Sequence, residues 1–227
     1  MSLGVALGIS IVTVGLAFQS MGSILLLGGY MPQIFKLHKT KNPTGISALF
    51  WSMIAIGCTA IAINMVLQGT STEVILTQAL NALLAWYTLA LVMVARKKHG
   101  IETKDSPWLY VVAVVIGAYF IREFVINGSL YSSPAELGNL LQTIGTFALL
   151  VAYLPQIWYL YKVKDATGIS HWLFLVQGSG LLLVTVNMMI TGTSTYIIVT
   201  EFINIGLIFV QWVLTRYYQS KKINKKL

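Results

Sequence analysis

Tyr30-Met-Pro-Gln-Ile34 recurs 123 residues later as Tyr153-Leu-Pro-Gln-Ile157, and this repeated stretch decides the fold. The same displacement, without a gap, maps Thr44-Gly-Ile-Ser47 onto Thr167-Gly-Ile-Ser170. Over residues 19–84, 26 of 66 positions are identical to their partners in residues 142–207. An apolar composition would match Leu, Ile and Val by chance, but it would not match Pro-Gln and Thr-Gly-Ile-Ser together. We therefore interpret the chain as an internal duplication.

The composition around the repeat is that of a membrane protein. Of the 227 residues, 56% are hydrophobic and 10% are charged, whereas soluble domains carry about 25% charged residues. A bilayer-spanning helix needs about 20 mostly apolar residues. The apolar runs predict an all-α integral membrane protein with seven transmembrane helices, at Val12–Leu37, Ile46–Leu67, Glu73–Ala95, Trp108–Ile126, Ala135–Tyr161, Ser170–Ile190 and Tyr196–Tyr217. The short connections leave no room for a soluble catalytic domain, so we expect no enzyme.

The duplication also predicts how the helices are arranged. Each repeat holds three helices, so two repeats in direct succession would be inverted relative to each other. The fourth helix reverses the chain once more, which makes the two triplets parallel. We therefore expect a 3+1+3 architecture with a first triplet at 1–98, a linker helix with its loops at 99–134, and a second triplet with a basic tail at 135–227. Parallel repeats commonly enclose a solute site near the middle of the membrane.

Charge predicts the orientation. The connections that follow the first, third and fifth helices, together with the carboxyl-terminal tail, hold 14 of the 15 Lys and Arg residues. By the positive-inside rule, the amino terminus is outside and the carboxyl terminus is cytoplasmic. The formal charge of +8 is then explained by the membrane, and we expect no nucleic-acid partner. Without a long glycosylated lumenal domain, a bacterial plasma membrane is favoured over a lysosome.

The two Pro-Gln pairs, each followed by a basic loop and Thr-Gly-Ile-Ser, resemble the PQ-loop superfamily. This group includes the SWEET and SemiSWEET sugar transporters and the lysosomal amino-acid exporters related to cystinosin. The resemblance implies alternating-access transport of a small polar solute, with Pro32 and Pro155 as hinges. Sugar-carrying relatives place a tryptophan late in the second helix of the triplet, where this chain has Ile61 and Val184. That departure gives some support to an amine-bearing solute.

The Pro-Gln pairs also carry a local prediction of their own. Proline has no N–H, so a proline inside a helix frees the carbonyl four residues earlier. Gln33 and Gln156 are expected to hydrogen-bond backbone groups freed in this way, because hydrocarbon would leave them unsatisfied. The alternative to a hinge is a static kink that shapes packing.

Four polar side chains inside predicted spans are the candidate solute-binding residues: Gln78, Asn81, Glu201 and Asn204. The spacing of three places each pair on one helical face, and the displacement of 123 matches Gln78 with Glu201 and Asn81 with Asn204. Asparagines on this helix bind the solute in sugar-transporting relatives. The alternative role is interhelical hydrogen bonding. For Glu201 itself, a proton carrier, a counter-charge for a cationic solute and a structural hydrogen bond all remain open.

Two further polar features lie near the predicted outer helix ends. Asn64 and Asn187 fit either helix termination, which is favoured, or an outer gate. Glu73 completes a Thr-x-x-Glu pattern with Thr70, which predicts a capping box.

We expect a transporter of a small polar solute, with a sugar as the leading class. The first alternative is a proton-coupled transporter of amino acids or other amines that uses Glu201. A binding receptor, like the one that retrieves escaped endoplasmic-reticulum proteins, is a weaker alternative. We predict no cofactor and no metal site. The expected partners are the solute and the lipid bilayer, and a second copy of the chain is left open.

Overall fold

The computed structural model describes residues 11–101 and 134–224 of the chain. Within these ranges the regular secondary structure is entirely helical. The helices are α1 Ile11–Gly28, α2 Tyr30–Thr40, α3 Ala48–Leu67, α4 Thr72–Lys98, α5 Pro134–Val163, α6 His171–Ile190 and α7 Thr195–Asn224.

Six helical segments of the described part are long and apolar enough to cross a membrane. The first of them, Thr13–Thr40, combines α1 and α2, and the others lie within α3 to α7. These segments confirm the prediction of a helical multi-pass membrane protein. The predicted linker helix, Trp108–Ile126, lies outside the described residues, so the seven-helix count stays a prediction.

The first predicted helix is interrupted where the sequence has two adjacent glycines. α1 ends at Gly28 and α2 begins at Tyr30, so Pro32 lies in the first turn of α2, where a missing N–H costs little. A side chain at Gly29 would collide with Gln177 of α6, so the close approach of the two helices requires glycine there. In the second repeat, Pro155 lies inside the continuous helix α5.

The helix contacts give each triplet the same internal order. α4 packs against α3 and also contacts α1 and α2, and α7 likewise packs against α6 and contacts α5. The third helix of each repeat therefore lies between the first and the second. The two triplets meet through two equivalent interfaces, α1 with α6 and α3 with α5.

The loops show that the triplets point the same way. Residues 41–47 join α2 to α3, and residues 164–170 join α5 to α6. The two loops contact each other, with the Gly168 amide donating to the Thr44 carbonyl at 3.0 Å. We call this the loop end of the bundle and the opposite end the far end.

Glycines allow the close helix crossings at both interfaces. A Cβ built at Gly22 of α1 would lie 2.8 Å from the Gly180 carbonyl oxygen of α6. At the equivalent crossing, a Cβ at Gly145 of α5 would lie 2.9 Å from the Gly57 carbonyl oxygen of α3. Small residues at such crossings let helix backbones approach closely in a membrane.

One local prediction is wrong. Ser71, rather than Thr70, is the N-cap of α4, and no side chain makes a capping hydrogen bond there. The Thr70–Glu73 capping box is therefore not formed. Because the helix begins one residue later than the pattern requires, Glu73 lies in the first turn at the wrong offset to reach back to the cap.

Candidate functional site

A cavity of about 240 Å³ lies between the two triplets. Its lining contains several residue pairs related by the displacement of 123. The polar pairs are Gln19 with Gln142, Tyr30 with Tyr153, Gln78 with Glu201 and Asn81 with Asn204. Because both members of each pair contribute, the cavity lies on the axis that relates the repeats.

All four predicted binding residues line this cavity. On α7, the Asn204 Nδ2 donates to Glu201 Oε2 at 3.2 Å. On α4, the Gln78 Nε2 donates to the Cys58 carbonyl at 3.4 Å. The Oδ1 atoms of Asn81 and Asn204 are buried and have no donor among the described residues. The two halves therefore bring matched, unpartnered acceptors to one space, although their binding role stays a prediction.

Sequence reasoning missed other polar residues of the lining. Gln19 and Gln142 form a matched pair within the repeat, and that match was the signal that could have identified them. Gln177 has Ile54 as its partner in the first repeat, so the search for matched polar pairs could not detect it. Tyr30 and Tyr153 come from the Pro-Gln segments themselves.

The glutamines of the Pro-Gln pairs bind the opposite repeat, which corrects the prediction that they bond freed carbonyls of their own helices. Gln33 Nε2 donates to the Gly168 carbonyl at 3.1 Å, and its Oε1 accepts from the Ser170 amide at 2.7 Å. Gln156 Nε2 donates to the Gly45 carbonyl at 2.6 Å, and its Oε1 accepts from the Ser47 amide at 2.8 Å. Each glutamine is 1% exposed. Together they form two equivalent latches that close the loop end.

An aromatic layer separates the cavity from the loop end. Its members are Tyr30, Phe50, Trp51 and Tyr153, each less than 10% exposed. Phe50 lies between Trp51 and Tyr153, with ring centroids 5.1 Å and 5.6 Å away, and Tyr30 lies 5.9 Å from Trp51. Toward the far end, the cavity lining extends to Met65 and Met188 in the last turns of α3 and α6. This conformation is therefore closed on the loop side.

At the far end, a second pair of cross-repeat hydrogen bonds, rather than helix capping, engages the side chains of Asn64 and Asn187. Asn64 Nδ2 donates to Gln142 Oε1 at 2.8 Å, and Asn187 Nδ2 donates to Gln19 Oε1 at 3.0 Å. Gln19 and Gln142 also line the cavity. The asparagine side chains therefore join the two triplets rather than capping their own helices.

The two positions at which this chain lacks the tryptophan of sugar-carrying relatives lie in the cavity wall. Ile61 and Val184 line the cavity, so both positions that hold tryptophan in sugar-carrying relatives are aliphatic here. Trp51 is buried in the aromatic layer below the cavity. Trp86 and Trp172 are about half exposed on the outside of the bundle. No tryptophan of the described residues lines the cavity, so none can stack on a bound sugar ring there.

An ion pair holds the end of α7 to the second loop. Lys222 pairs with Asp165, while Gln219 Nε2 donates to the Ala166 and Ile169 carbonyls at 3.0 Å and 2.7 Å. Partial burial of Asp165 opposes its ionisation, but hydrogen bonds from Lys222 and the Thr167 amide outweigh it and lower the pKa of the carboxyl. Asp165 is therefore ionised at neutral pH.

Comparison with known proteins identifies the repeated unit. No curated protein matches the sequence. The family model of the PQ loop repeat matches twice, at residues 8–74 and 137–197, which together are more than half of the chain. Both matches contain a Pro-Gln pair and the loop that the opposite glutamine binds. The chain therefore belongs to the PQ-loop repeat family and carries two copies of the repeat.

Proposed function

We propose that the chain moves a small polar solute across the membrane through the axial cavity by alternating access, without catalysing a chemical reaction. The observation that carries this proposal is the cavity itself, which both repeats line with matched polar side chains. Burying unpaired acceptors is costly unless something donates to them. A passing solute that supplies donors would explain why the acceptor oxygens of Asn81 and Asn204 have no partner among the described residues.

The gating elements support alternating access. The latches of Gln33 and Gln156 hold the loop end shut, and the far end has its own cross-repeat bonds. Solute would pass when one set breaks while the other holds. Pro32 and Pro155 lie next to the latching glutamines and are the proposed hinges. Pro32 follows the break between α1 and α2, and Pro155 removes a backbone hydrogen bond inside α5.

A sugar is the first solute class to test. Amide side chains offer both donors and acceptors, and Gln19 Nε2 and Gln78 Oε1, which are not bonded within the described residues, can hydrogen-bond hydroxyl groups. The volume of about 240 Å³ suits a small solute. The second candidate is proton-coupled transport of an amino acid or another amine, and Glu201 in the lining favours it. A binding receptor would need the cavity but not the matched gates.

We also propose an orientation. Every Lys and Arg of the described residues lies toward the loop end, in the carboxyl-terminal halves of α2, α4, α5 and α7 or in the loops beside them. By the positive-inside rule the loop end is cytoplasmic, so the amino terminus is outside and the cavity extends outward. A bacterial plasma membrane is the proposed location.

Proteoliposome uptake tests the proposal. Purified protein is first screened by thermal shift against sugars, amino acids and nucleosides, and each stabilising solute is then tested for uptake with and without an imposed pH gradient. We expect uptake that the Asn81→Ala, Asn204→Ala double variant abolishes while remaining folded. Uptake by that variant at the wild-type rate would contradict the proposed site. An unchanged rate under the pH gradient, together with full activity of Glu201→Gln, would exclude proton coupling.

A further inference from the structure

The charge of the cavity lining is unbalanced. Glu201 carries the one carboxyl group among its described residues, and no Lys, Arg or His of the described residues joins it. A buried charge is tolerated when an opposite charge pairs with it. A solute with a carboxylate or phosphate would find no such partner, and it would also be repelled by an ionised Glu201.

The hydrogen-bonding capacity of the lining is unbalanced in the same direction. Asn81 Oδ1 and Asn204 Oδ1 are buried acceptors without a donor among the described residues. Asn204, which is 5% exposed, turns its own amide toward Glu201 and so leaves its oxygen for another group. An ammonium group supplies three donors and no acceptor. It matches one carboxylate and two amide oxygens better than a hydroxyl group, which brings acceptors as well.

The repeat symmetry is broken on one side of the cavity. Where the first repeat has Ile54 and Gln78, the second has Gln177 and Glu201. Among the described residues, the α6–α7 side is therefore the more polar and the only acidic side, so a solute with one cationic end would bind in a single orientation. Gln19 Nε2 and Gln78 Oε1, which make no hydrogen bond within the described residues, remain available for neutral hydroxyl groups on the rest of the solute.

We infer that the transported solute is a small hydroxylated amine without an anionic group, such as an amino sugar or amino alcohol, with its ammonium at Glu201, Asn81 and Asn204. The inference rests on the proposed transport function and narrows its substrate class. It separates this chain from a carrier of neutral sugars, which need no carboxylate. It also separates the chain from a carrier of zwitterionic amino acids, whose carboxylate would be unmatched.

The test compares probes that differ by one group. Binding and uptake of glucosamine and glucose are measured on the full chain at a pH where glucosamine is protonated, and ethanolamine and serine are added as competitors. We expect glucosamine to bind at least tenfold more tightly than glucose. Ethanolamine should compete with glucosamine uptake, whereas serine, which adds a carboxylate, should not.

Variants assign the preference to the carboxyl group. Glu201→Gln makes the site amide-only, like its Gln78 partner, and should remove the preference for glucosamine over glucose. Glu201→Asp keeps the charge and should retain a preference, which guards against a folding defect in the first variant. Glu73→Gln, an exposed position in the first turn of α4, is the matched control and should behave as wild type.

The outcomes distinguish the two levels of the account. Uptake of glucose with equal or weaker binding of glucosamine would overturn the inference and leave the transport proposal standing. A preference for glucosamine that survives in Glu201→Gln would overturn the assignment to Glu201. If wild-type protein moves none of these solutes or those of the wider screen, the transport proposal itself is contradicted.

Discussion

Removing one latching glutamine should open the loop end. In Gln156→Ala, the Ser47 amide and the Gly45 carbonyl lose their partner while the loop end stays closed. When that end opens, water satisfies both groups. The substitution therefore raises the free energy of the closed conformation relative to the open one.

The size of the effect follows from the two hydrogen bonds lost. A hydrogen bond contributes about 0.5–1.5 kcal/mol net, so losing the bonds at 2.6 Å and 2.8 Å costs the closed conformation about 1–3 kcal/mol. Since about 1.4 kcal/mol is a factor of ten, the population ratio of open to closed should rise about 5- to 140-fold. Gln33→Ala should have a similar effect, because Gln33 makes the equivalent pair of bonds.

The chain carries its own reporter for this change. Cys58 is the single cysteine of the sequence, and it lines the cavity beyond the aromatic layer. A membrane-impermeant thiol reagent is applied to each side of oriented proteoliposomes, and the rate of Cys58 modification is measured. Gln156→Ala should raise the rate from the loop-end side by the factor above. Cys58→Ser supplies the background, and Ser179→Ala, at an exposed position of α6, is the control.

Two results would refute this reasoning. One is an unchanged loop-end rate in both Gln156→Ala and Gln33→Ala, with the protein still folded. The other is a rise confined to the far-end side, which would mean that the glutamines hold a different gate from the one their hydrogen bonds indicate.

Three more changes have defined outcomes. Asn187→Ala removes the far-end hydrogen bond to Gln19 and should speed Cys58 modification from the far-end side. Equal acceleration from both sides would argue against a gate at the far end. Gly180→Ala should prevent close packing of α1 against α6 and lower the thermal midpoint of unfolding, because a Cβ there would lie 2.8 Å from the Gly22 carbonyl oxygen. Gly206→Ala is the control, since its Cβ would meet nothing within 4 Å and should leave the midpoint unchanged. Equal midpoints for the two variants would contradict the crossing geometry. Asp165→Asn should lower the midpoint slightly at neutral pH by breaking the pair with Lys222. Since the pKa of Asp165 is below its ordinary value of 3.8, this pair stabilises the fold above that value and is lost as pH falls through the lowered pKa, so the difference from wild type should disappear in acid; a difference that persists there would exclude the ion pair as its cause.

The sequence was sufficient for the repeat, the membrane class and the convergence of the four candidate residues. Once two copies pack about one axis, a polar residue that points toward the axis in one copy meets its equivalent from the other copy there. Gln78, Asn81, Glu201 and Asn204 could therefore be grouped without coordinates. For the six predicted spans within the described residues, the bounds were within three residues except at the end of α7, which continues seven residues past the predicted Tyr217. Apolar runs mark the membrane-spanning part directly, but they do not show how far a helix continues into a basic tail.

The sequence alone could not show which residues of one repeat contact the other repeat. Gln33 needed a polar partner in a nonpolar environment, and the nearest candidate along the chain was its own helix. Its true partners are 135 and 137 residues away, at Gly168 and Ser170. Gln177 was missed for a related reason, since its polarity has no counterpart at Ile54.

The most direct test of the central claim is uptake through a deliberately filled cavity. Leu181 lines the cavity, and its neighbour Leu182 is 45% exposed on the outside of α6. We expect Leu181→Trp to abolish uptake of the transported solute in proteoliposomes while Leu182→Trp, equal in bulk, transports as wild type. If both variants carry solute equally well, the route does not pass between the two repeats.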